Sequence, residues 1–228
     1  MGKGFWIGAI LVVGLCFWGM SYVLTPDNGD AEFQKMLEAT KQVKSFRGTF
    51  VGSTPSTQHS ERLWELDCNR GFLHKQSQDL SNGAIPVKTK EDQLLVGSDQ
   101  KYTRNGDGSW EKTRYTAAMY SASWYCDNLA QGTIRDLLPD IRAMLRNATF
   151  GRGDKKTING VRCQDWNFSM HSANSGQRGT VCIGSEDHLP YEMTTDNGGR
   201  YSYSDYNRPL EFDVPDGLQP ASSSQGSN

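Results

Sequence analysis

The residues with the most chemical potential in this chain are its cysteines. Of the five, Cys16 lies in an apolar N-terminal segment, which leaves Cys68, Cys126, Cys163 and Cys182. An even number of cysteines in an exported domain is typical of structural disulfides. A metal site is the rival, but the sequence contains no C-x-x-C spacing and its histidines are scattered. We therefore expect two disulfides and no metal site.

Four cysteines allow three pairings, and the local pattern favours one of them. Cys163 and Cys182 flank a candidate hairpin with a polar tip at residues 172–176. A hairpin would place these two thiols across from each other. This leaves Cys68 to pair with Cys126. Closing the shorter loop, of about 20 residues, contributes roughly 3 kcal/mol of stability in the chain-entropy model.

The sequence contains no recognised catalytic signature. G-x-S-x-G, H-E-x-x-H and the Walker loop are all missing. Residues 105–110 faintly resemble a calcium loop, but Ser109 stands where Asp or Asn belongs and Trp110 where Gly belongs. The formal charge is −2, and basic residues are spread among acids, which argues against a nucleic-acid partner. We predict that the protein is not an enzyme and needs no cofactor.

Residues 5–24 form an apolar run without a charge. As a helix, this run is about 30 Å long and matches the hydrocarbon core of a bilayer. Lys3 precedes it and acidic residues follow it, so the positive-inside rule places the N-terminus in the cytoplasm and the rest outside. We expect a single-pass signal anchor in the cell inner membrane, with a periplasmic domain. Cleavage after Ser21 and a lipoprotein signal at Cys16 are the alternatives.

Composition divides the chain into four parts. The anchor is expected at residues 1–24 and is followed by a short linker at residues 25–29. One folded domain is expected at residues 30–215. Residues 216–228 are rich in Gly, Ser and Pro, which is typical of a disordered tail.

Helical signals occur at the start of the domain and in its middle. Residues 30–45 favour a helix with Asp30 as its cap. Residues 117–125 are ambiguous between helix and strand. Residues 128–138 and 139–146 favour two helices, because a proline at their junction suits a first helical turn. These two helices share an apolar stripe, for which core packing is the default interpretation and a lid over a cavity is the alternative. The stripe consists of Ile134, Leu137, Leu138, Ile141, Met144 and Leu145.

The rest of the domain has the two-residue periodicity of antiparallel strands. Leu189, Tyr191 and Met193, for example, alternate with more polar neighbours, so that one face is buried and the other is wet. Turn residues separate the strands, as in the run Asp-Asn-Gly-Gly at 196–199. Residues 53–60 are predicted as a polar loop. The predicted strands are 46–51, 61–69, 71–78, 92–96, 101–104, 110–115, 189–195, 201–205 and 210–214.

Several short motifs mark strand ends and turns. They are S-F-x-G-T-F at 45–50, I-N-G-V-x-C at 158–163, G-x-V-x-I at 179–183 and Y-S-D-Y-N-x-P at 203–209. With the order of helix, hairpins, helical interlude and final meander, they resemble the bacterial lipoprotein-carrier (LolA/LolB-like) superfamily. Lipid-binding lipoproteins and periplasmic sensor domains of that fold look similar.

The resemblance implies a mainly β (α+β) fold: a curved antiparallel half-barrel with covering helices, here preceded by one transmembrane helix. In that fold an apolar cavity holds acyl chains, which gain roughly 0.8 kcal/mol per buried CH₂. The alternative is that the wall residues pack together and leave no cavity. The candidate ligand-binding residues are Trp64, Leu66, Leu137, Leu138, Ile141, Tyr191, Met193, Tyr201, Tyr203 and Phe212.

Two functions follow from this interpretation. The first is a membrane-tethered exported domain that binds a lipid, or the acyl chains of a lipoprotein, without catalysis. The second is a structural or sensory module that contacts another envelope protein. An apolar cavity of several hundred Å³ would favour the first, and a filled interior with an exposed aromatic patch would favour the second.

Overall fold

The computed structural model describes residues 29–54, 57–81, 87–114, 120–132, 137–170, 176–211, 213–215 and 217–218. Within these residues the chain forms three helices, α1 (Gly29–Lys41), α2 (Ala122–Ala130) and α3 (Ile141–Asn147). The strands are β1 (Ser45–Thr54), β2 (Thr57–Asp67), β3 (Phe72–Ser81), β4 (Lys88–Val96), β5 (Gln100–Arg104), β6 (Trp110–Arg114), β7 (Ala148–Ile158), β8 (Val161–Met170), β9 (Gln177–Gly184), β10 (Pro190–Thr195) and β11 (Arg200–Ser204).

All of these strands belong to one antiparallel sheet with the order β6-β5-β4-β3-β2-β1-β11-β10-β9-β8-β7. The pairing of β1 with β11 joins two meanders, each built from strands that are consecutive in the chain. The long connection from β6 to β7 carries α2 and α3. The result is an open, curled sheet with helices, which confirms the mainly β prediction.

Alternation along the strands creates an inner face, which packs against the helices, and an outer face. On β1, Phe46 and Phe50 point to the inner face, and Phe46 lies opposite Leu66 of β2. Two adjoining core clusters fill the inner face. The first lies beneath α2 and includes Trp64, Leu66, Leu73, Leu95, Tyr125 and Leu129. The second lies beneath α1 and α3 and includes Phe33, Met36, Ile141, Met144, Trp166 and Val181.

The helices differ from the sequence prediction at their ends. Helix α1 ends at Lys41, because Ser45 already pairs with Asp67 in the sheet. The middle region forms α2 at Ala122–Ala130, so a helix over residues 128–138 is wrong. Gly132 adopts a left-handed φ of 71° just after α2, a conformation that ends a helix. Helix α3 confirms the third predicted helix, and Asp140 caps it.

Two other predicted elements are wrong. Residues 57–60 are part of β2 rather than of a polar loop, because His59 and Ser60 pair with Leu80 and Asp79 of β3. The described residues between 210 and 215 form no strand. They run over the outer face of the sheet instead, where the guanidinium of Arg70 donates to the carbonyl oxygen of Leu210.

Both predicted disulfides are present. Cys163 on β8 is bonded to Cys182 on β9, and their Cα atoms are 5.6 Å apart. Cys68, in the turn after β2, is bonded to Cys126 of α2. The second bond fastens α2 to the sheet, because its two cysteines belong to different elements.

The predicted membrane anchor at residues 5–24 lies outside the described residues. Within the described part of the chain, no helix is both long enough and apolar enough to span a bilayer.

Candidate ligand-binding site

A pocket of about 310 Å³ opens on the inner face where β2, β3 and β4 extend past α2. Strand register sets its walls. Trp64 of β2 lies opposite Lys75 of β3, and Lys75 lies opposite Gln93 of β4. These side chains share one face because each strand alternates its side chains and the strands are paired. They form the inner row of the pocket.

A second row lies one step closer to the mouth. Arg62 is opposite Ser77, and Ser77 is opposite Glu91. Asp79 and Thr89 follow in the next row. Side chains of both signs therefore surround the opening.

Tyr125 of α2 forms the floor together with Trp64. Their exposed fractions are only 2% and 4%. The ammonium of Lys75 lies 5.3 Å from the centre of the Tyr125 ring, within range of a cation–π interaction. The pocket is therefore apolar and aromatic at its base and charged at its mouth.

Helix α2 holds Tyr125 in place through three local features. Ser121 caps the helix, since its Oγ accepts from the amide of Trp124 at 3.1 Å. The amide of Ser123 donates to the carbonyl of Gly97, in the turn between β4 and β5. The third is the disulfide of Cys126, the residue next to Tyr125. The helix at the base of the pocket is thus attached to the sheet at two turns, the one after β2 and the one between β4 and β5.

The charged groups at the mouth are partly engaged with their neighbours. The guanidinium of Arg62 donates to Ser60 Oγ at 3.2 Å and lies 5.9 Å from the centre of the Phe50 ring. Gln93 donates to the carboxylate of Glu91 at 3.0 Å. The second contact is exposed to solvent, so Gln93 and Glu91 can exchange it for contacts with a polar group at little cost.

The sequence-predicted ligand residues have two kinds of surroundings. Trp64 lines the pocket. The other described candidates belong to the two clusters or pack against them: Leu66, Leu137, Leu138, Ile141, Tyr191, Met193, Tyr201 and Tyr203. Phe212 lies outside the described residues. A ligand-binding role for these ten residues stays a prediction.

Sequence reasoning missed most of the pocket lining. Arg62 could have been found, because it lies two residues before Trp64 on the same alternating strand. Lys75 and Glu91 could not, because only the pairing of β3 with its neighbours brings them to Trp64 and Ser77. Among the residues that the structure describes, no three His, Cys, Asp or Glu side chains are placed to hold a metal ion.

Four buried polar atoms on the inner side lack a hydrogen-bond partner among the described residues. They are Thr40 Oγ1, Asp79 Oδ1, Trp166 Nε1 and Tyr203 Oη. Burial raises the pKa of Tyr203 well above its usual value, so its hydroxyl is protonated and carries an unused donor.

No family model matches the chain, and no curated protein matches its sequence. Among solved structures, Mycobacterium tuberculosis lipoprotein LppX is similar, with 16% identity and a TM-score of 0.50. That match covers 81% of this chain and 97% of LppX. A chain of the Pseudomonas aeruginosa MucA/MucB complex is also similar, with 15% identity and a TM-score of 0.41, over 84% of this chain and 60% of that one.

The similarity to LppX extends over nearly the whole of that protein. At so low a sequence identity, it is evidence for a shared fold only. The chain therefore has the LolA-like fold, which confirms the resemblance seen in the sequence.

Proposed function

We propose that this chain is an exported, non-catalytic binding module that holds a lipid or lipidated ligand at the open end of its half-barrel. Residues 5–24 would tether it to the cell inner membrane, with the domain at 30–215 in the periplasm and residues 216–228 as a free tail. The observation that carries the proposal is the pocket over Trp64 and Tyr125, aromatic at its base and charged at its rim.

Such a pocket matches the chemistry of an amphiphile. An acyl chain gains roughly 0.8 kcal/mol for each CH₂ that leaves water, and the rings of Trp64 and Tyr125 are the apolar groups it would contact. A polar headgroup would stay at the rim, where Arg62, Lys75 and Glu91 can contact it. The volume of about 310 Å³ is at the lower end of the range of ligand pockets. The pocket could therefore hold part of one acyl chain, while the two core clusters beneath it stabilise the fold.

The test is to ask what the protein carries when it is isolated. The full chain, with a protease site inserted in residues 25–29, is expressed with export, and the released domain is purified without detergent. Mass spectrometry of an organic extract should then find a lipid or acyl chain in stoichiometric amount. Trp64→Ala should lose it. Leu63→Ala, on the same strand but the opposite face, should retain it.

Two outcomes would contradict the proposal. One is a protein that carries no lipid and binds none when an acyl probe is titrated into it. The other is equal lipid content in the Trp64 and Leu63 variants, because the lipid would then be attached elsewhere.

A second function, contact with another envelope protein, is favoured by the outer face. Val51 is 46% exposed there, beside a groove of about 290 Å³ lined by Thr49, Leu63 and Gln78. If that groove contacts a partner, Val51→Asp should abolish cross-linking to it in intact cells and leave the lipid content unchanged.

A further inference from the structure

A buried histidine lies between two carboxylates on the outer face of the sheet. The Nδ1 atom of His74 is 2.7 Å from Glu65 Oε2, and its Nε2 atom is 2.8 Å from Asp92 Oδ1. The three residues, which we call the acid–histidine cluster, are only 4% to 8% exposed. Only the imidazolium form of a histidine can donate from both ring nitrogens at once. The geometry therefore fits a cation that two anions share.

The two carboxylates differ in how much other positive charge they have. Glu65 is paired with Arg47, whose Nη2 atom is 2.7 Å from Glu65 Oε1. Arg47 also binds Asp205, at 2.9 Å. Glu65 therefore keeps a close cation even when His74 is neutral.

Asp92 has a weaker second partner. Gln76 donates to Asp92 Oδ2 at 3.1 Å, but it carries no charge. Arg104 is 4.0 Å from the same oxygen. The Nη2 atom of Arg104 is instead 2.6 Å from Asp213 Oδ2. Arg104 thus lies between a buried carboxylate and one at the surface.

Asp213 belongs to the segment at residues 210–215, which we call the C-terminal segment. Two of its described residues, Leu210 and Asp213, are bound by arginines of the sheet. Arg70, in the turn before β3, donates to the carbonyl of Leu210 at 2.5 Å, and Arg104, at the end of β5, binds Asp213. Leu210 is almost fully buried. The segment is therefore attached at two points beside the cluster, and one of them is Arg104.

We propose that the acid–histidine cluster and Arg104 form a pH-dependent latch for the C-terminal segment. With His74 protonated, Asp92 is neutralised and Arg104 holds Asp213. With His74 neutral, Asp92 is left as a buried anion, and Arg104 turns to it and releases Asp213. Leaving a buried carboxylate without a cation is strongly unfavourable, whereas an ion pair at the surface contributes little. Arg104 therefore binds the buried Asp92 in preference to the exposed Asp213.

The direction of the switch follows from the surroundings of His74. Burial disfavours its charged form, but the hydrogen bonds and negative charges of Glu65 and Asp92 outweigh burial and raise its pKa. The other charged groups around the cluster are themselves paired: Asp67 with Arg70, and Asp205 with Arg47. The latch is thus closed below the raised pKa of His74 and opens as the pH rises through it.

Hydrogen–deuterium exchange of the full chain tests the latch. Exchange is followed between pH 6 and pH 10 in the peptide that covers residues 206–215, after correction for the intrinsic rate of each pH. In the wild type, protection of this peptide should fall a few-fold in total as the pH rises through the pKa of His74, the size of effect that one exposed ion pair can have. His74→Gln should abolish that pH response.

His59→Gln is the matched control. His59 also pairs with a carboxylate, Glu61 at 2.8 Å, but both of these side chains are exposed. This variant should keep the wild-type response. A wild-type peptide whose protection does not change with pH would overturn the proposal, and so would a His74→Gln protein that keeps the response.

Asp213→Asn keeps the proposal testable if His74→Gln does not fold. Asp213 is largely exposed, so its loss leaves the buried cluster intact. The peptide should then lose its pH response, with the rest of the sheet still protected. A normal pH response in Asp213→Asn would show that Arg104 is not the latch.

Discussion

Lys75 of β3 and Tyr125 of α2 meet across the base of the pocket, with the ammonium 5.3 Å from the ring centre. The contact connects the sheet to the helix that covers it, at the point where the lining changes from aromatic to charged. Lys75 therefore contacts α2, and under the proposed function it would also attract an anionic headgroup.

Removing this charge should weaken binding and have a modest effect on stability. We expect Lys75→Gln to lower the free energy of unfolding by about 0.5–2 kcal/mol, the range of a cation–π contact. Affinity for an anionic acyl probe should fall as well, and the fall should be smaller at high salt. Chemical denaturation and probe titration measure the two effects. Lys88→Gln, an exposed site on β4, is the control, and an equal loss in both variants would contradict a specific role for Lys75.

The disulfide that holds α2 should affect the pocket more than the other disulfide does. Cys68 and Cys126 are separated by 58 positions. Replacing both with serine should lower the free energy of unfolding by about 4 kcal/mol in the chain-entropy model. Because α2 carries Tyr125, bound lipid should also be lost. Thermal denaturation and lipid content are the measurements.

The matched control for that experiment is the second disulfide. Cys163 and Cys182 are only 19 positions apart and connect two strands that are already paired. Their double serine variant should lose about 3 kcal/mol and retain its lipid. If the two double variants lose lipid equally, the disulfide of α2 does not control the pocket.

Tyr203→Phe should distinguish an unused hydroxyl from a ligand contact. Tyr203 Oη is buried and has no partner among the described residues. Removing a buried hydroxyl without a partner removes a desolvation penalty of about 1–3 kcal/mol. The lipid-free variant should therefore be more stable than wild type by denaturant titration. Lower stability would show that the hydroxyl has a partner in solution.

The acid–histidine cluster should make the free energy of unfolding largest within a limited range of pH. Hydrogen bonds from His74 and Arg47 outweigh burial and lower the pKa of Glu65. Its contribution to stability is present above its usual pKa of 4.5 and is lost as the pH falls through the lowered value. The contribution of His74 is present below its usual pKa of 6.5 and is lost as the pH rises through the raised value.

Both contributions are therefore complete between about pH 4.5 and pH 6.5. Unfolding free energies measured from pH 3 to pH 10 should peak in this range for the wild type and decline on both sides. His74→Gln should flatten the alkaline side, whereas His59→Gln should leave it unchanged. A wild-type stability that rises steadily above pH 7 would rule out a stabilising imidazolium.

The local parts of this fold could be predicted from the sequence. Hairpins follow from alternating side chains and from turn residues, both of which act within a few positions. The partnership of Cys163 with Cys182 followed from such a hairpin. Elements whose state depends on distant contacts could not be predicted. Residues 210–214 alternate like a strand, but strand β1, beside the last meander, already pairs with β11 and β2.

The candidate site was predictable only in part, for the same reason. Trp64 was found because an aromatic residue on an alternating strand belongs to the buried face. His74 looked isolated in the sequence, where Glu65 is nine positions before it and Asp92 is eighteen positions after it. Pairing of β2, β3 and β4 brings the three side chains together.

The sequence by itself determined that this chain forms antiparallel strands and two disulfides, because alternation and turn chemistry are local and the cysteine number is read directly from the chain; the curvature was expected only from the family resemblance. Only the tertiary structure decided which residues meet. The register of β2, β3 and β4 fixes both the charged rim of the pocket on one face and the acid–histidine cluster on the other. A shift of one residue in that register would exchange the two faces, since neighbouring side chains on a strand point in opposite directions.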